Sequence, residues 1–157
     1  MNKRSMIQKL CIIGMMTMLL LTACQKEVSL DVQKLADRLN TEIAYEDTLA
    51  QASDAMAQML YGYDQEDVQK AAVYISAGAT TEEVAVFQCV DAQAANRVND
   101  SAKQRIENQK ESVKTYKPEE LQRLEEAQLQ TKGCYVVLSI SSTPETARQI
   151  IQEALDQ

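Results

Sequence analysis

The first 23 residues limit what the rest of the chain can fold into. Residues 1–9 contain Lys3, Arg4 and Lys9 and no acidic residue, and residues 10–23 form an uncharged run of 14 residues. A transmembrane helix needs about 20 apolar residues, so this run is too short to span a bilayer comfortably. A basic start followed by a short apolar run is typical of a signal peptide, which is removed and takes no part in the fold.

The residues that end this signal indicate its type. Residues 21–24 read LTAC, the pattern of the lipobox, in which the cysteine is lipidated and becomes the first residue of the mature chain. We therefore predict lipid attachment at Cys24, rather than a plain secretory signal or a membrane anchor helix. A diacylglyceryl group carries two acyl chains, which suffices for stable attachment. We expect a short tether over residues 24–29 and a domain over residues 30–157 on the extracytoplasmic face of the cell membrane.

The mature chain is of a size for one domain and is strongly acidic. Removing residues 1–23 from 157 leaves 134 residues, enough for one domain but hardly for two. Three of the 16 basic residues and none of the 23 acidic ones leave with the signal, so 13 basic and 23 acidic residues remain. This excess of acidic residues argues against a nucleic-acid partner and against binding of anionic lipid by a basic segment. We therefore expect membrane contact through the anchor alone.

Helical patterns alternate with strand patterns along the mature chain. Val28, Val32, Leu35 and Leu39 recur at helical spacing and predict a helix that ends near Asn40. In a second helix we expect Ser53 to be the N-cap and Gly62 the C′ residue, with an apolar stripe of Met56, Met59 and Leu60. Asp91 can cap a long helix, Pro118 fits the first turn of a shorter one, and Thr143 with Pro144 begins the last.

Two pairs of strands are predicted between these helices. Residues 71–76 and the stretch EVAVFQCV flank a turn that contains Gly78, and residues 127–141 form a second hairpin around Gly133. Thr80 and Glu83 also match a capping box, so a helix from Thr81 is the competing interpretation. We favour the hairpin because the stretch is rich in β-branched and aromatic residues. The predicted fold is α+β, in the order ααββααββα, with a mainly antiparallel four-stranded sheet of two hairpins and helices on at least one face.

Four stretches carry a resemblance to a known family. LYGYDQEDV, VYISAGATTEEVAVF, YKPEELQRL and KGCYVVLSIS follow the lipobox in this order, and the chain resembles the DUF4358 domain-containing bacterial lipoproteins, found mainly in Gram-positive bacteria. The resemblance spans roughly residues 31–155. It implies an extracytoplasmic lipoprotein with one compact domain, and it implies no activity and no functional residues. Cys89 and Cys134 are not part of the resemblance.

The composition argues against most catalytic machinery. Histidine is absent from the chain, which removes Ser-His-Asp and Cys-His arrangements and histidine-ligated zinc. Glu82 and Glu83 are adjacent, and neighbouring side chains on a strand point to opposite faces, so they cannot flank one bond. Asp64, Glu66 and Asp67 lack the glycine and the distal glutamate of a calcium loop, so we expect a solvated turn with Asp64 as a cap. We predict no catalytic residue, no metal and no cofactor.

Two cysteines remain in the predicted domain. Cys89 shares a strand face with Ala85 and Phe87, and Cys134 shares one with Val136, so both sulfur atoms are expected to point into the core. Buried inert thiols and a disulfide both fit this arrangement, and the extracytoplasmic side permits a disulfide.

Tyr61 and Tyr63 are the candidates for a ligand or partner surface. They flank Gly62 at a predicted helix end and would suit a platform for a wall glycan or another ligand. The commoner arrangement packs such rings on the core with the hydroxyl groups in water, and this is the one we expect.

These observations favour a non-enzymatic binding module of the cell envelope. Its partner would be another envelope protein or a wall ligand. The alternative is a divergent envelope hydrolase or metal-binding enzyme that uses carboxylates alone.

Overall fold

The computed structural model describes residues 29–156, so the signal, Cys24 and Val28 lie outside the described residues. In chain order the elements are α1 (Val32–Glu42), β1 (Leu49–Gln51), α2 (Asp54–Tyr61), a 3₁₀ turn (Gln65–Asp67), β2 (Val68–Ser76), β3 (Glu83–Cys89), α3 (Ala92–Val113), α4 (Glu120–Glu125), β4 (Gln128–Lys132), β5 (Tyr135–Ile140) and α5 (Pro144–Leu155).

The strands form one antiparallel sheet in the order β1-β2-β3-β5-β4. The α+β class and both hairpins are confirmed. The predicted number of four strands is wrong, because β1 adds a fifth strand at one edge, where Leu49 pairs with Ser76. A strand of three residues is too short to show the alternation by which strands are recognised.

Helices cover both faces of the sheet. One core lies under α2, α3 and α4, and the other under α1 and α5. The central strand β3 contributes to both: Ala85, Phe87 and Cys89 face the first core, and Val84 and Val86 face the second. A strand buried on both faces reads as a nearly continuous apolar run, which explains the composition of EVAVFQC.

Most of the predicted helix ends are observed. Ser53 Oγ accepts a hydrogen bond from the Met56 amide, and Asp91 accepts one from the Ala94 amide. Gly62 has a φ of 66°, the left-handed conformation of a C-cap glycine. Thr143 precedes Pro144 at the start of α5, but its side chain makes no capping hydrogen bond.

The predicted apolar stripe on α2 is wrong for both methionines, although Leu60 does pack against the first core. Met56 and Met59 are 40% and 69% exposed, whereas Ala57 and Tyr61 are buried. The Tyr61 ring packs edge-on against Phe87 with 4.9 Å between centroids. Burying this ring sets the rotation of the helix and turns both methionines to the surface.

The stretch between β2 and β3 is a hairpin and not a helix start. Gly78 has a φ of 110°, and Ser76 Oγ accepts hydrogen bonds from the amides of Gly78 and Thr80 at 3.2 and 3.1 Å. The turn therefore matches the favoured interpretation, in which a glycine supplies the unusual backbone angles. Among residues 29–156, no helix is long and apolar enough to cross a membrane.

Candidate functional site

Glu83, the first residue of β3, is the centre of a buried polar cluster. Its side chain is 1% exposed, and its carboxylate accepts hydrogen bonds from three side chains. Tyr61 donates through its hydroxyl group, Arg105 through Nε at 3.0 Å and Nη2 at 2.6 Å, and Gln109 through Nε2 at 2.9 Å. The carboxylate is therefore surrounded by donors.

Two helices supply these donors. Tyr61 is the last residue of α2, and Arg105 and Gln109 lie four residues apart on α3, which places them on the same helix face. The Arg105 guanidinium also lies over the Tyr61 ring, 5.7 Å from its centroid, within the range of a cation–π contact. The Glu83 cluster thus joins β3 to α2 and α3, two of the three helices that cover the first core.

The electrostatics of this cluster keep the tyrosine protonated and the arginine charged. Burial, followed by the negative charge of Glu83, raises the pKa of Tyr61 well above its usual value. Burial lowers the pKa of Arg105, but the hydrogen bonds and charge of Glu83 outweigh this effect and leave the pKa raised. Tyr61 therefore acts as a hydrogen-bond donor and Arg105 as the counter-ion.

Glu82 is equally buried but has different partners. Its carboxylate accepts hydrogen bonds from the backbone amides of Glu46 and Asp47, each at 3.0 Å, and from Thr80 Oγ1 at 3.0 Å. Glu46 and Asp47 belong to the loop between α1 and β1. The Glu82 side chain therefore ties this loop to the start of β3.

Arg123 extends the polar cluster around Glu82. Its Nη1 pairs with Glu120 and its Nη2 with Glu46, while Nε lies 3.9 Å from Glu82 Oε1 and has no hydrogen-bond partner among the described residues. Glu120 also accepts hydrogen bonds from the amide and hydroxyl of Thr81, both at 2.8 Å. Burial raises the pKa of Glu120, but these hydrogen bonds and Arg123 outweigh it, so the pKa is lowered. One guanidinium thus holds α4 against the loop and the hairpin.

The partners of the two glutamates show what the arrangement can do. The Glu83 side chain meets α2 and α3, and the Glu82 side chain meets the α1–β1 loop, so the prediction that they point apart is confirmed. Each carboxylate already receives several hydrogen bonds, which suits a structural tie. Across residues 29–156 no group of three or more aspartate, glutamate or cysteine side chains could hold a metal ion.

The predicted solvated turn at residues 64–67 is only partly observed. Asp64 precedes the 3₁₀ turn, but its side chain makes no capping hydrogen bond. Asp67 is buried and pairs with Arg97, whose Nε donates to Oδ2 at 2.8 Å. This pairing lowers the pKa of Asp67. The prediction is wrong for Asp67, because an arginine on α3 neutralises it.

The two cysteines are free thiols in the structure. Cys89 is buried in the first core, and burial raises its pKa to about 12. Cys134 is partly buried against the second core. It lies in the turn after β4, one residue before β5 begins at Tyr135, so it does not share the strand face of Val136. Formation of a disulfide between them stays a prediction.

The predicted tyrosine platform is not at the surface. Tyr61 and Tyr63 are both buried, and both rings pack edge-on against Phe87. The expectation that their rings pack on the core is confirmed. The expectation that the hydroxyl groups reach water is wrong for Tyr61, because its hydroxyl donates to Glu83.

Sequence reasoning missed the basic partners of these carboxylates. Arg105 lies in the long helix after Asp91 and Arg123 in the short helix after Pro118, and neither residue was predicted to pair with a glutamate. A partly buried arginine next to a buried glutamate leaves no periodic signal, because each residue type is usually exposed. The one available clue is that Arg105 directly precedes Ile106, at the edge of the apolar stripe of α3.

The fold and the two clusters define a small α+β domain with a five-stranded antiparallel sheet, helices on both faces, and buried carboxylates that are paired internally. The family model of the domain of unknown function DUF4358 matches residues 41–141. The chain therefore belongs to the DUF4358 family, which confirms the resemblance drawn from the sequence. The matched segment contains both glutamates and all of their side-chain partners named above. No curated protein matches the chain, and no solved structure does.

Proposed function

We propose that this chain is a lipoprotein anchored through Cys24 to the extracytoplasmic face of the cell membrane, where its domain acts as a non-enzymatic binding module of the envelope. The observation that carries the proposal is the short distance along the chain between the lipobox and the packed domain. Leu30 already packs against the second core, and its amide donates to the Tyr135 hydroxyl at 3.2 Å.

This distance places the domain close to the bilayer. Six residues beyond Cys24 reach Leu30, which corresponds to at most about 20 Å of extended chain at roughly 3.4 Å per residue. A partner of the domain is therefore expected at or near the membrane surface, whether it is an envelope protein or a wall ligand.

The exposed face of α2 is the candidate contact for that partner. Met56 and Met59 are both exposed and lie three residues apart on one side of the helix. Unbranched thioether side chains adapt to irregular surfaces. The buried carboxylates, by contrast, point apart and are held by donors, an arrangement that supports binding better than carboxylate-based hydrolysis.

Lipid labelling of growing cells tests the anchor. The Cys24→Ala variant should incorporate no fatty acid and should keep its signal peptide. It should therefore be absent from the processed form found in the membrane. The Cys11→Ala variant is the matched control, since it removes the other cysteine of the signal region and should be labelled and processed normally. A Cys24→Ala chain that is still labelled and cleaved would overturn the anchor.

Crosslinking in native membranes tests the binding role. The wild-type chain should be crosslinked to a recurring partner. A double variant that carries Met56→Ser and Met59→Ser should be crosslinked to it less. Gln152→Ser, an exposed change on α5 across the sheet, is the control that should leave the crosslinking unchanged. Equal capture by the methionine double variant and by Gln152→Ser would show that α2 does not contact the partner.

A further inference from the structure

The chain enters the domain at one end of the sheet. Leu30 is held by the hydroxyl of Tyr135, the first residue of β5, which pairs with Gln88 in β3 and Lys132 in β4. The turn at Gly133 and Cys134 closes the β4–β5 hairpin beside it. The segment that leads to Cys24 therefore leaves the domain at the end of the sheet where β5 begins.

This end, which we call the near end, is also where β3 ends and β2 begins. The Cys89 amide donates to the Cys134 carbonyl at 2.7 Å, and the Val90 amide donates to the Asp67 carbonyl at 3.0 Å. The end of α5 lies here as well, because Asp156 pairs with Lys132 at 2.7 Å.

The opposite end, the far end, consists of the β2–β3 turn, the α1–β1 loop and α4. These parts are held together by Glu82, Glu120 and Arg123. β2 has nine residues, so the two ends of the sheet are about 30 Å apart at roughly 3.3 Å per residue.

The tether is shorter than this separation. With the far end against the bilayer and the sheet upright, Leu30 would lie about 30 Å above the surface, beyond the reach of about 20 Å of extended chain. With the near end against the bilayer, the tether reaches easily. An inverted domain is therefore sterically excluded for a chain anchored at Cys24.

Charge does not distinguish the two ends of the sheet, because both expose acidic side chains. The far end exposes acidic side chains on α4, on the α1–β1 loop and at the start of α5: Glu46, Glu119, Glu125, Glu126 and Glu145. The near end exposes Asp64, Glu66, Asp91 and Asp156 beside Lys70 and Lys132. It also exposes the apolar side chain of Val90, which is 46% accessible and suits contact with a lipid surface.

We propose that the domain stands on the membrane with its near end toward the lipid surface and presents its far end outward. This orientation rests on the proposed anchor at Cys24. The bilayer is thus a second contact of the domain, made by the end that carries Val90 and Lys132, and the far end is the surface offered to the rest of the envelope.

Energy transfer to the membrane tests the orientation. The lipidated chain, processed from the full precursor, is reconstituted into vesicles that contain an acceptor-labelled phospholipid. A donor dye is attached to a single cysteine in a Cys134→Ser background, in which Cys89 is buried and its raised pKa keeps it unlabelled. Val90→Cys and Lys70→Cys report the near end, and Ala77→Cys and Gln122→Cys report the far end.

Because about 30 Å separates the ends, transfer from both near-end sites should exceed that from both far-end sites by roughly two-fold or more. Equal transfer from the two ends, or stronger transfer from the far end, would overturn the orientation. Binding of the wild-type chain to the same membranes separates the two proposals. A chain that stays in solution defeats the anchor and the orientation together, whereas a bound chain with equal or reversed transfer defeats the orientation alone.

Discussion

Glu82 and Glu83 are neighbours in the chain and are both 1% exposed, yet they are held in different ways. Glu83 faces a formal positive charge, Arg105, at 2.6 Å inside the first core. Glu82 is held by backbone amides of a loop, and the nearest arginine nitrogen is 3.9 Å away. One carboxylate joins secondary structures through an ion pair, and the other caps the amides of an irregular segment.

This difference indicates what each residue contributes. A buried ion pair adds little net stability over an apolar pair, but removing one partner leaves an uncompensated charge. A carboxylate bound by amides is replaced more easily, because a neutral oxygen can still accept hydrogen bonds. The Glu83 cluster should therefore govern the stability of the whole domain, and Glu82 the order of the α1–β1 loop.

Glu83→Gln should have the largest effect. It leaves the partly buried Arg105 guanidinium without its counter-ion, so the free energy of unfolding should fall by about 3 kcal/mol. Urea unfolding followed by circular dichroism measures this value. Glu107→Gln, an exposed change on the same helix as Arg105, is the matched control and should change stability by less than about 0.5 kcal/mol. If the two variants are equally stable, the ion pair is not a support of the fold.

Glu82→Gln should cost less, about 1 to 2 kcal/mol, since its amide oxygen keeps one acceptor for the loop. Its main effect should be local. Hydrogen exchange at the amides of Glu46 and Asp47 should accelerate while exchange in β3 changes less. A larger loss of stability than that of Glu83→Gln would reverse the comparison between the two residues.

Tyr61→Phe should have a smaller effect on the Glu83 cluster. It removes one donor from Glu83 and leaves Arg105 and Gln109 in place, so a loss of about 1 kcal/mol is expected. The ring contact with Phe87 is kept, so near-ultraviolet circular dichroism should retain the signal of a packed core. A loss as large as that of Glu83→Gln would show that the hydroxyl, and not the arginine, dominates the cluster.

Acid should weaken the cluster around Glu82 through Glu120. The pKa of Glu120 in the folded chain lies below its ordinary value of 4.5. This group therefore adds stability above that pH and loses it as the pH falls through the lowered pKa. Unfolding measured between about pH 6 and pH 3 should show a smaller decline in Glu120→Gln than in the wild-type chain. An identical decline of stability in the variant and in the wild-type chain would show that Glu120 does not contribute to the acid response.

The fold was largely readable from local signals in the sequence. Both hairpins follow from Gly78 and Gly133 next to β-branched residues, and the caps at Ser53 and Asp91 follow from side chains that compete for free amides. These signals act over a few residues and need no knowledge of the rest of the chain.

The errors arose where contacts with distant parts of the chain determine the local structure. β1 exists because β2 offers it an edge, and the orientation of α2 follows from the contact of Tyr61 with Phe87 and Glu83. Sequence reasoning predicted that Glu82 and Glu83 point apart, but their basic partners come from 22 and 41 residues away. Such pairings are tertiary and leave no spacing pattern in the sequence.

The central claim is that the mature protein begins at a lipidated Cys24 and holds its DUF4358 domain at the membrane. The most direct test is mass spectrometry of the N-terminal peptide from protein extracted from cell membranes. The account predicts a peptide that starts at Cys24 and carries the added mass of a diacylglyceryl group. A peptide that starts elsewhere, or an unmodified Cys24, would contradict it.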